Sequence, residues 1–456
     1  MKIRLSKEGA SYLLINLIIL IFLSVFFSNG GIFIIGLIGT LIVLISANTA
    51  DHEYWNAILL CTFIAFIWMV FQYFCLIEKF GKPYFAMDDE NYEHFAKQFY
   101  NSGSYLLNQV PHIREDITNN RGYYWIISWM MRLSENFGKY HTISPRVLNI
   151  YLWISVCSLT YKFLRLDDQF FDARQARIVC SILAIFPNAL YISSFVYRDT
   201  LCIFLMIVII YNAKTLLMTL ESGNMFAVSL KLIGIAIACY ILFYTRSKIL
   251  VLVAGIIAIN FLMGGNQSHL ALKRILLVMI FALVGLVTLR DELESYMSSY
   301  SFYTLYAEGS GSSGGLSSFI FQTPILPFGF ILRSIWGMVV PFPGEIFQDN
   351  FHLFPAYSAM RLIIYLGTIL QIICVPYAIK SFIKLDKNAI SWLLTYWMVV
   401  LVTFTFRHFI MTYPFLSVEI YYGIKGVRRE KITKNSLLIL GAIVVLGILY
   451  ASMQHR

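Results

Sequence analysis

The run YLLINLIILIFLSVFFS at residues 12–28 decides the fold class, because it is almost wholly apolar and nearly long enough for one helix to cross a bilayer. A second run, GGIFIIGLIGTLIVLISA at 30–47, follows at once without a small-residue cleavage site, so we expect a retained helix rather than a removed signal peptide. Across 456 residues, 59% are hydrophobic and the mean hydropathy is +0.70. The alternating segments of about 10 residues that mark a β-barrel do not occur. The sequence therefore predicts an all-α polytopic membrane protein.

Long apolar runs recur along the chain and predict about 13 transmembrane helices. They are 12–28, 30–47, 55–77, 145–161, 178–197, 199–213, 226–245, 249–263, 274–290, 360–379, 388–406, 408–424 and 436–453. Lys and Arg collect in alternate short segments between the runs, which predicts a cytoplasmic N-terminus. This pattern also accounts for the net charge of +10 without a nucleic-acid partner.

One stretch, 319–345, is apolar enough to span but carries four prolines and Arg333. Proline removes a helical hydrogen bond, and lipid cannot satisfy the carbonyl that this frees. A full span here would also move the basic segment 380–387 to the outer side. We therefore predict a broken or re-entrant element near the outer face.

Two outer segments are long, 78–144 and 291–359. The first contains amphipathic pieces at 90–107 and 122–134, which are expected to lie in the membrane interface. The second contains the tract EGSGSSGGLSS at 308–318, whose composition is typical of a mobile loop. Because both long segments are external on this topology, a functional site is expected on the outer face.

The spans and loops divide the chain into three predicted parts. Residues 1–54 form a transmembrane hairpin that is added to the core. Residues 55–424 form the catalytic membrane core with both outer loops. Residues 425–456 form a basic cytoplasmic loop and the last helix.

Ionisable residues gather at one predicted depth, the outer boundary of the spans. They are Asp88, Asp89, Glu90, Arg198, Asp199, Arg246, Lys248, Arg290, Asp291, Glu292, Glu345, Arg407 and His408. Charges near spans are costly, so by default they indicate function. Only 13% of the chain is charged, which makes three consecutive acids at 88–90 unusual.

Asp88 and Asp89 are suited to act as a general base towards a hydroxyl. Two adjacent carboxylates are also suited to hold a divalent cation such as Mg²⁺ or Mn²⁺ with hard oxygen ligands. The alternative is structural, with Asp89 capping the helix that begins near Glu90. The sequence leaves these interpretations open, and no cofactor is certain.

The cationic residues have two interpretations each. Arg presents a fixed fork of donors that matches phosphate oxygens, so Arg407 with His408, Arg198, Arg246 and Lys248 are candidates to bind a lipid phosphate. Alternatively, they contact lipid headgroups without a further role. Asp199 is either a second acid of the site or a cap for the helix after it.

Other chemistries lack support in the sequence. The seven cysteines lie in apolar runs without ligand spacing, so neither a disulfide framework nor a zinc site is predicted. The motifs of nucleotide-binding loops, serine hydrolases and zinc proteases do not occur.

Several motifs together resemble the GT-C superfamily of membrane glycosyltransferases. Asp88, Asp89, Glu90 and Tyr92, followed by Ala96 and Gly103, are similar to the family's acidic motif in the first outer loop. RGYYWIISWMMRLSENFG (121–138) and SPRVLNIYLWISV (144–156) resemble the next helix pair. FPNALYISSFVYRDTLCIFL (186–205), PFPGE (341–345) and RHFIMTYPFL (407–416) resemble later elements.

The resemblance implies a polyprenyl-phosphate-linked sugar as donor and places Asp88 at the position of the family's catalytic aspartate, which would act as the base. Asp89 stands where the family has Glu, and the same comparison gives Asp199 as the second acid and Arg407 near the donor phosphate. Glu90, Tyr92 and Glu345 are further candidates. The motifs cover roughly residues 80–424, and the hairpin 12–47 departs from the family pattern.

Three functions remain open from the sequence. The first is sugar transfer to an envelope glycan or lipid-linked acceptor at the outer face of a bacterial cytoplasmic membrane. The second is an oligosaccharide repeat-unit polymerase that uses undecaprenyl-pyrophosphate-linked substrates. The third is a flippase or transporter, which is disfavoured because its ionisable groups should lie near the bilayer midplane.

Overall fold

The computed structural model describes residues 6–48, 52–85, 87–109, 120–166, 172–262, 320, 323, 328–341, 346, 351–383, 387–402 and 406–454. All regular secondary structure in these ranges is helical. The amphipathic helices predicted after the third span are present. The chain is a helical membrane protein, as its apolar composition predicts.

Sixteen α-helices are described in these ranges. In the first part they are α1 (Lys7–Phe26), α2 (Gly31–Ser46), α3 (His52–Phe80), α4 (Met87–Asn101), α5 (Arg121–Glu135), α6 (Ile143–Arg165), α7 (Ala173–Ala184), α8 (Pro187–Ser193), α9 (Asp199–Glu221), α10 (Met225–Arg246) and α11 (Lys248–Leu262). In the second they are α12 (Phe330–Val339), α13 (Pro355–Phe382), α14 (Lys387–Val402), α15 (Tyr413–Ile424) and α16 (Arg429–Gln454). Short 3₁₀ helices cover Leu107–Gln109, Phe351–Leu353 and Phe406–Met411.

Six described helices are long and apolar enough to cross a membrane, namely α1, α3, α6, α9, α10 and α13. The pair α7 and α8 passes the same test together but is bent by 57°, which gives up to seven spans. Each predicted span in the described ranges overlaps a helix, yet α2, α11, α12 and α14 are shorter than a full span. The predicted span 274–290 lies outside the described residues. The number 13 therefore stays a prediction.

The chain divides into two compact units, and the described helices α1–α11 belong to the first. Its centre is α6, which is buried along almost its whole length. The helices α2, α3, α7 and α9 pack around α6. The small side chain of Gly39 permits close contact with α6, since a Cβ atom there would overlap the ring of Tyr151.

Some polar side chains inside α6 are satisfied within the helix itself. Ser158 and Thr160 donate to the carbonyl oxygens of Ile154 and Val156, one helical turn earlier, at 2.8 Å each. These bonds satisfy the two hydroxyls, whereas the hydroxyls of Ser144 and Ser155 are buried in the same helix without a hydrogen-bond partner in the described part of the chain. Arg146 stands near the N-terminus of α6, where the candidate site lies, whereas Lys162 and Arg165 lie in its last turn.

The helices α12–α16 belong to the second unit. With 10 residues, α12 extends about 15 Å, roughly half of the hydrocarbon thickness. It packs against α13 and α14, where Gln371 donates to the carbonyl of Met338 at 3.3 Å and Tyr396 donates to that of Ser334. Of the element predicted for 319–345, the structure describes 320, 323 and 328–341, and its broken or re-entrant character stays a prediction.

Candidate functional site

The helix ends that carry the predicted acids and arginines of the first unit meet at one end of that unit. They are the end of α3, the starts of α4, α5, α6, α9 and α11, and the ends of α8 and α10. Hydrogen bonds across these elements establish the shared position. We call this end of the first unit the polar end.

Asp88 and Asp89 begin α4 and face different environments. Asp88 is exposed, whereas Asp89 is fully buried. The Asp89 carboxylate reaches back to accept the backbone N–H of Phe85 at 3.0 Å, which ties the first turn of α4 to the segment before it. Asp88 also acts electrostatically on the Tyr124 phenol, as does Arg198. The exposed acid is thus the one accessible to a substrate.

The other residues of the acidic motif have structural contacts. Glu90 is half-buried and forms an ion pair with Lys82. Tyr92 is buried, with its ring edge-on to Tyr123 at 5.3 Å and tilted against Tyr124 at 5.9 Å. These contacts fix α4 on α5.

Asp199 and Arg246 form an ion pair between α9 and α10. The Asp199 Oδ1 atom lies 2.9 Å from Arg246 Nη1, and the Asp199 side chain is 1% exposed against 17% for Arg246. Arg198 donates to the carbonyl oxygen of Thr245 at 2.8 Å, which adds a second tie between these helices. Lys248 follows at the start of α11 and is half-buried.

Two residues at the start of α6, Arg146 and Asn149, form what we call the α6 clamp. Arg146 is fully buried and donates to two carbonyl oxygens. One belongs to Pro83, in the segment before α4, and the other belongs to Ser194, at 2.8 Å. Asn149 donates to the carbonyl oxygens of Phe195 and Tyr197 at 2.7 and 3.0 Å. The clamp therefore holds the segment before Asp88 and the segment before Asp199.

Glu93 lies beneath this arrangement on α4 and accepts three hydroxyl hydrogen bonds. Tyr84 donates at 2.6 Å, Tyr140 at 2.9 Å and Thr142 at 2.6 Å. Burial raises the pKa of the Glu93 carboxyl, and the three hydroxyls and the Arg146 charge oppose that rise without cancelling it. Glu93 thus joins α4 to the segment between α5 and α6.

The raised pKa of Glu93 predicts a pH dependence of stability. The protonated form is favoured by folding, so the stabilisation is complete below the ordinary value near 4.5 and is lost as pH rises through the raised folded pKa. Glu93→Gln is expected to flatten this slope, because the amide does not titrate. Thermal unfolding midpoints in detergent from about pH 4 to about pH 8 measure it. Equal slopes for both proteins would contradict this role.

Arg407 and His408 belong to the second unit, in the 3₁₀ helix before α15. Arg407 is half-buried and His408 is 2% exposed. Each unit is described by itself, so the predicted meeting of Arg407 with the acids of the polar end stays a prediction. Glu345 lies outside the described residues.

The structure also identifies residues that the sequence interpretation gave no role. Glu93, Arg121, Arg146 and Asn149 are buried polar residues of the polar end or its support. Arg146 and Asn149 form the Arg-x-x-Asn-like entry to α6 that the family resemblance of 144–156 indicated without giving either residue a role. Among the described residues, no group of three His, Cys, Asp or Glu side chains is arranged to hold a metal ion, and the Asp88–Asp89 pair is split between surface and interior.

Fold and site together define a helical membrane protein whose first unit carries acids and arginines at one end. In comparisons with protein-family models, with curated proteins and with solved structures, this chain matches none.

Proposed function

We propose that this protein is a membrane glycosyltransferase of the GT-C type, which moves a sugar from a polyprenyl-phosphate-linked donor to a glycan or lipid-linked acceptor. The observation that carries the proposal is the exposed Asp88 at the start of α4, which acts electrostatically on the same Tyr124 phenol as Arg198, one of the arginines of the polar end. An accessible carboxylate can take a proton, and arginines can bind phosphate. The resemblance of the acidic motif to the family supports the same function.

The reaction proceeds by displacement at the anomeric carbon of the donor. The acceptor hydroxyl oxygen forms the new bond to this carbon while its proton passes to Asp88. The bond from the anomeric carbon to the phosphate oxygen breaks, and the lipid phosphate leaves with the electron pair. Cations at the polar end stabilise the charge that develops on the leaving phosphate.

The proposed setting is a bacterial cytoplasmic membrane, with the N-terminus inside and the polar end at the outer face. The basic segments between the apolar runs support this orientation. The division into an added hairpin 1–54, a core 55–424 and a final helix in 425–456 belongs to the same proposal, as do the 13 spans.

The proposal is tested with the full chain in proteoliposomes. Undecaprenyl phosphates charged with different radiolabelled sugars are supplied as donors, with membrane glycolipids as acceptors. We expect label to enter an acceptor and free undecaprenyl phosphate to appear in equal amount. Asp88→Asn serves as the inactive control, and Glu135→Gln, an exposed acid at the end of α5, serves as the matched active control.

A second donor series distinguishes the alternative functions. Transfer from oligosaccharides on undecaprenyl pyrophosphate, with products that lengthen step by step, would indicate a repeat-unit polymerase instead. Movement of intact donor across the membrane without bond cleavage would indicate a flippase. Either result would replace the proposed sugar transfer.

A further inference from the structure

Arg121 has hydrogen-bonding groups that the fold leaves unused. It is the first residue of α5 and is only 8% exposed. Its Nε–H and the donors of Nη2 are buried without a hydrogen-bond partner. A buried donor on a charged group that lacks a partner is strongly destabilising, because it has lost its water without replacement.

The two unused groups form one edge of the guanidinium. Nε–H and the nearer Nη2–H point in the same direction, so together they donate two parallel hydrogen bonds to one oxyanion. Lys cannot present such a fork. Burial lowers the pKa of Arg121 from its usual value, but a guanidinium starts so high that it keeps its charge at neutral pH. The edge is therefore a charged donor pair suited to phosphate.

The neighbourhood of Arg121 favours an anion. The start of α5 is pressed on the last turn of α10, because a Cβ atom at Gly122 would overlap Thr245 Oγ1. That turn leads directly into Arg246, and its Thr245 carbonyl accepts a hydrogen bond from Arg198. Asp199, the acid between these arginines, is engaged by Arg246. Among the described residues, the end of α10 that contacts the start of α5 thus carries Arg246 and binds Arg198, two arginines against one acid, Asp199.

The adjoining surface of α10 is suited to a lipid tail. Ile233, Ile237 and Tyr240 are each more than half exposed, and they follow one side of the helix at intervals of three to four residues. This apolar stripe ends near Thr245 and Arg246. A phosphate held at Arg121 therefore has an apolar path beside it for an attached chain.

We propose that the Nε–Nη2 edge of Arg121 binds a phosphate oxyanion carried by a polyprenyl chain, whose tail lies along α10. The inference rests on the proposed function, because that function requires the polyprenyl phosphate to carry a sugar. It assigns the phosphate to the first unit, on the first residue of the stretch 121–138, to which the family resemblance gives no phosphate-binding role. Arg198, Arg246 and Lys248 supply the surrounding positive charge.

Binding is measured with the purified full chain in detergent, using sugar-free undecaprenyl phosphate as the probe. Inorganic phosphate and uncharged undecaprenol are the two partial ligands. We expect Arg121→Gln to weaken undecaprenyl phosphate binding at least tenfold, and Arg121→Lys to bind with intermediate affinity since it keeps charge without the fork. Arg132→Gln is the matched control, because Arg132 lies on the same helix but donates to the Ser104 carbonyl and stacks over the Tyr105 ring.

A stability readout separates this role from a structural one. Arg121→Met is expected to keep or raise the unfolding midpoint without lipid, since it removes an unpartnered buried charge, and to abolish the rise that undecaprenyl phosphate causes. Arg132→Met is expected to lower the midpoint. If Arg121→Met instead unfolds the protein more easily and Arg121→Lys binds the lipid as wild type does, Arg121 is structural and the inference fails.

The remaining outcomes are equally decisive. Binding of inorganic phosphate as tight as that of the lipid would overturn the polyprenyl source, and no binding of either would overturn the site. Sugar transfer that depends on Asp88 but not on Arg121 would leave the proposed function intact and reject this inference. Binding that depends on Arg121, in a protein that transfers no sugar, would do the reverse.

Discussion

Replacing Asp88 by asparagine is expected to lower sugar transfer by about 10²–10⁴-fold, the usual contribution of a general base. The amide is nearly the same size, so α4 keeps its contacts but loses the group that takes the acceptor proton. Because Asp88 is exposed, its replacement should leave the unfolding midpoint almost unchanged. The measurement is the initial rate of label transfer in proteoliposomes at equal amounts of folded protein.

The neighbouring acid provides the contrast. Asp89→Asn keeps an acceptor for the Phe85 N–H but removes a buried charge-assisted bond, so it should lower stability more than it lowers the rate per folded molecule. Full transfer by Asp88→Asn together with inactive but folded Asp89→Asn would assign the base to Asp89.

Replacing Asp199 by alanine is expected to destabilise the first unit by up to about 3–5 kcal/mol, because it leaves Arg246, whose side chain is 17% exposed, without its partner. The change is measured as the shift in a denaturant midpoint for detergent-solubilised protein. The double variant Asp199→Ala with Arg246→Met should recover most of the loss, since it removes the uncompensated charge as well.

The same pair decides between two roles for Asp199. If Asp199→Ala keeps its stability yet loses transfer, Asp199 is the second acid of the chemistry that the family resemblance implies. If the double variant regains both stability and transfer, the ion pair serves the fold alone. The arithmetic of the double-mutant cycle requires reversible unfolding of all four proteins.

The sequence was sufficient to predict the helical membrane class, since long apolar runs leave few other structures. It also predicted that Asp199, Arg198 and Arg246 would share one end, which their contacts in the first unit confirm. Their catalytic and binding roles stay predictions. The span number was harder to predict, because α2 and α14 are apolar along their length yet too short for a full crossing.

Other features depend on contacts that one-dimensional patterns do not encode. Asp88 and Asp89 are chemically identical neighbours, and only packing of α4 makes one exposed and the other buried. Arg121 stands at the edge of an amphipathic helix, where periodicity predicts an ordinary surface arginine. Arg121 lies where α5 approaches α10 closely at Gly122, and no local sequence motif predicts that contact.

The α6 clamp has a consequence for how this protein can change over time. Arg146 and Asn149 bind main-chain oxygens of other segments, and every amino acid supplies such an oxygen at those positions. The side chains at 194, 195 and 197 are nevertheless buried, and the Phe195 ring lies 5.7 Å from the Arg146 guanidinium. These positions therefore accept only residues that fill the same core, so a lineage is expected to diversify its specificity at exposed positions of the polar end while the clamp keeps the scaffold anchored.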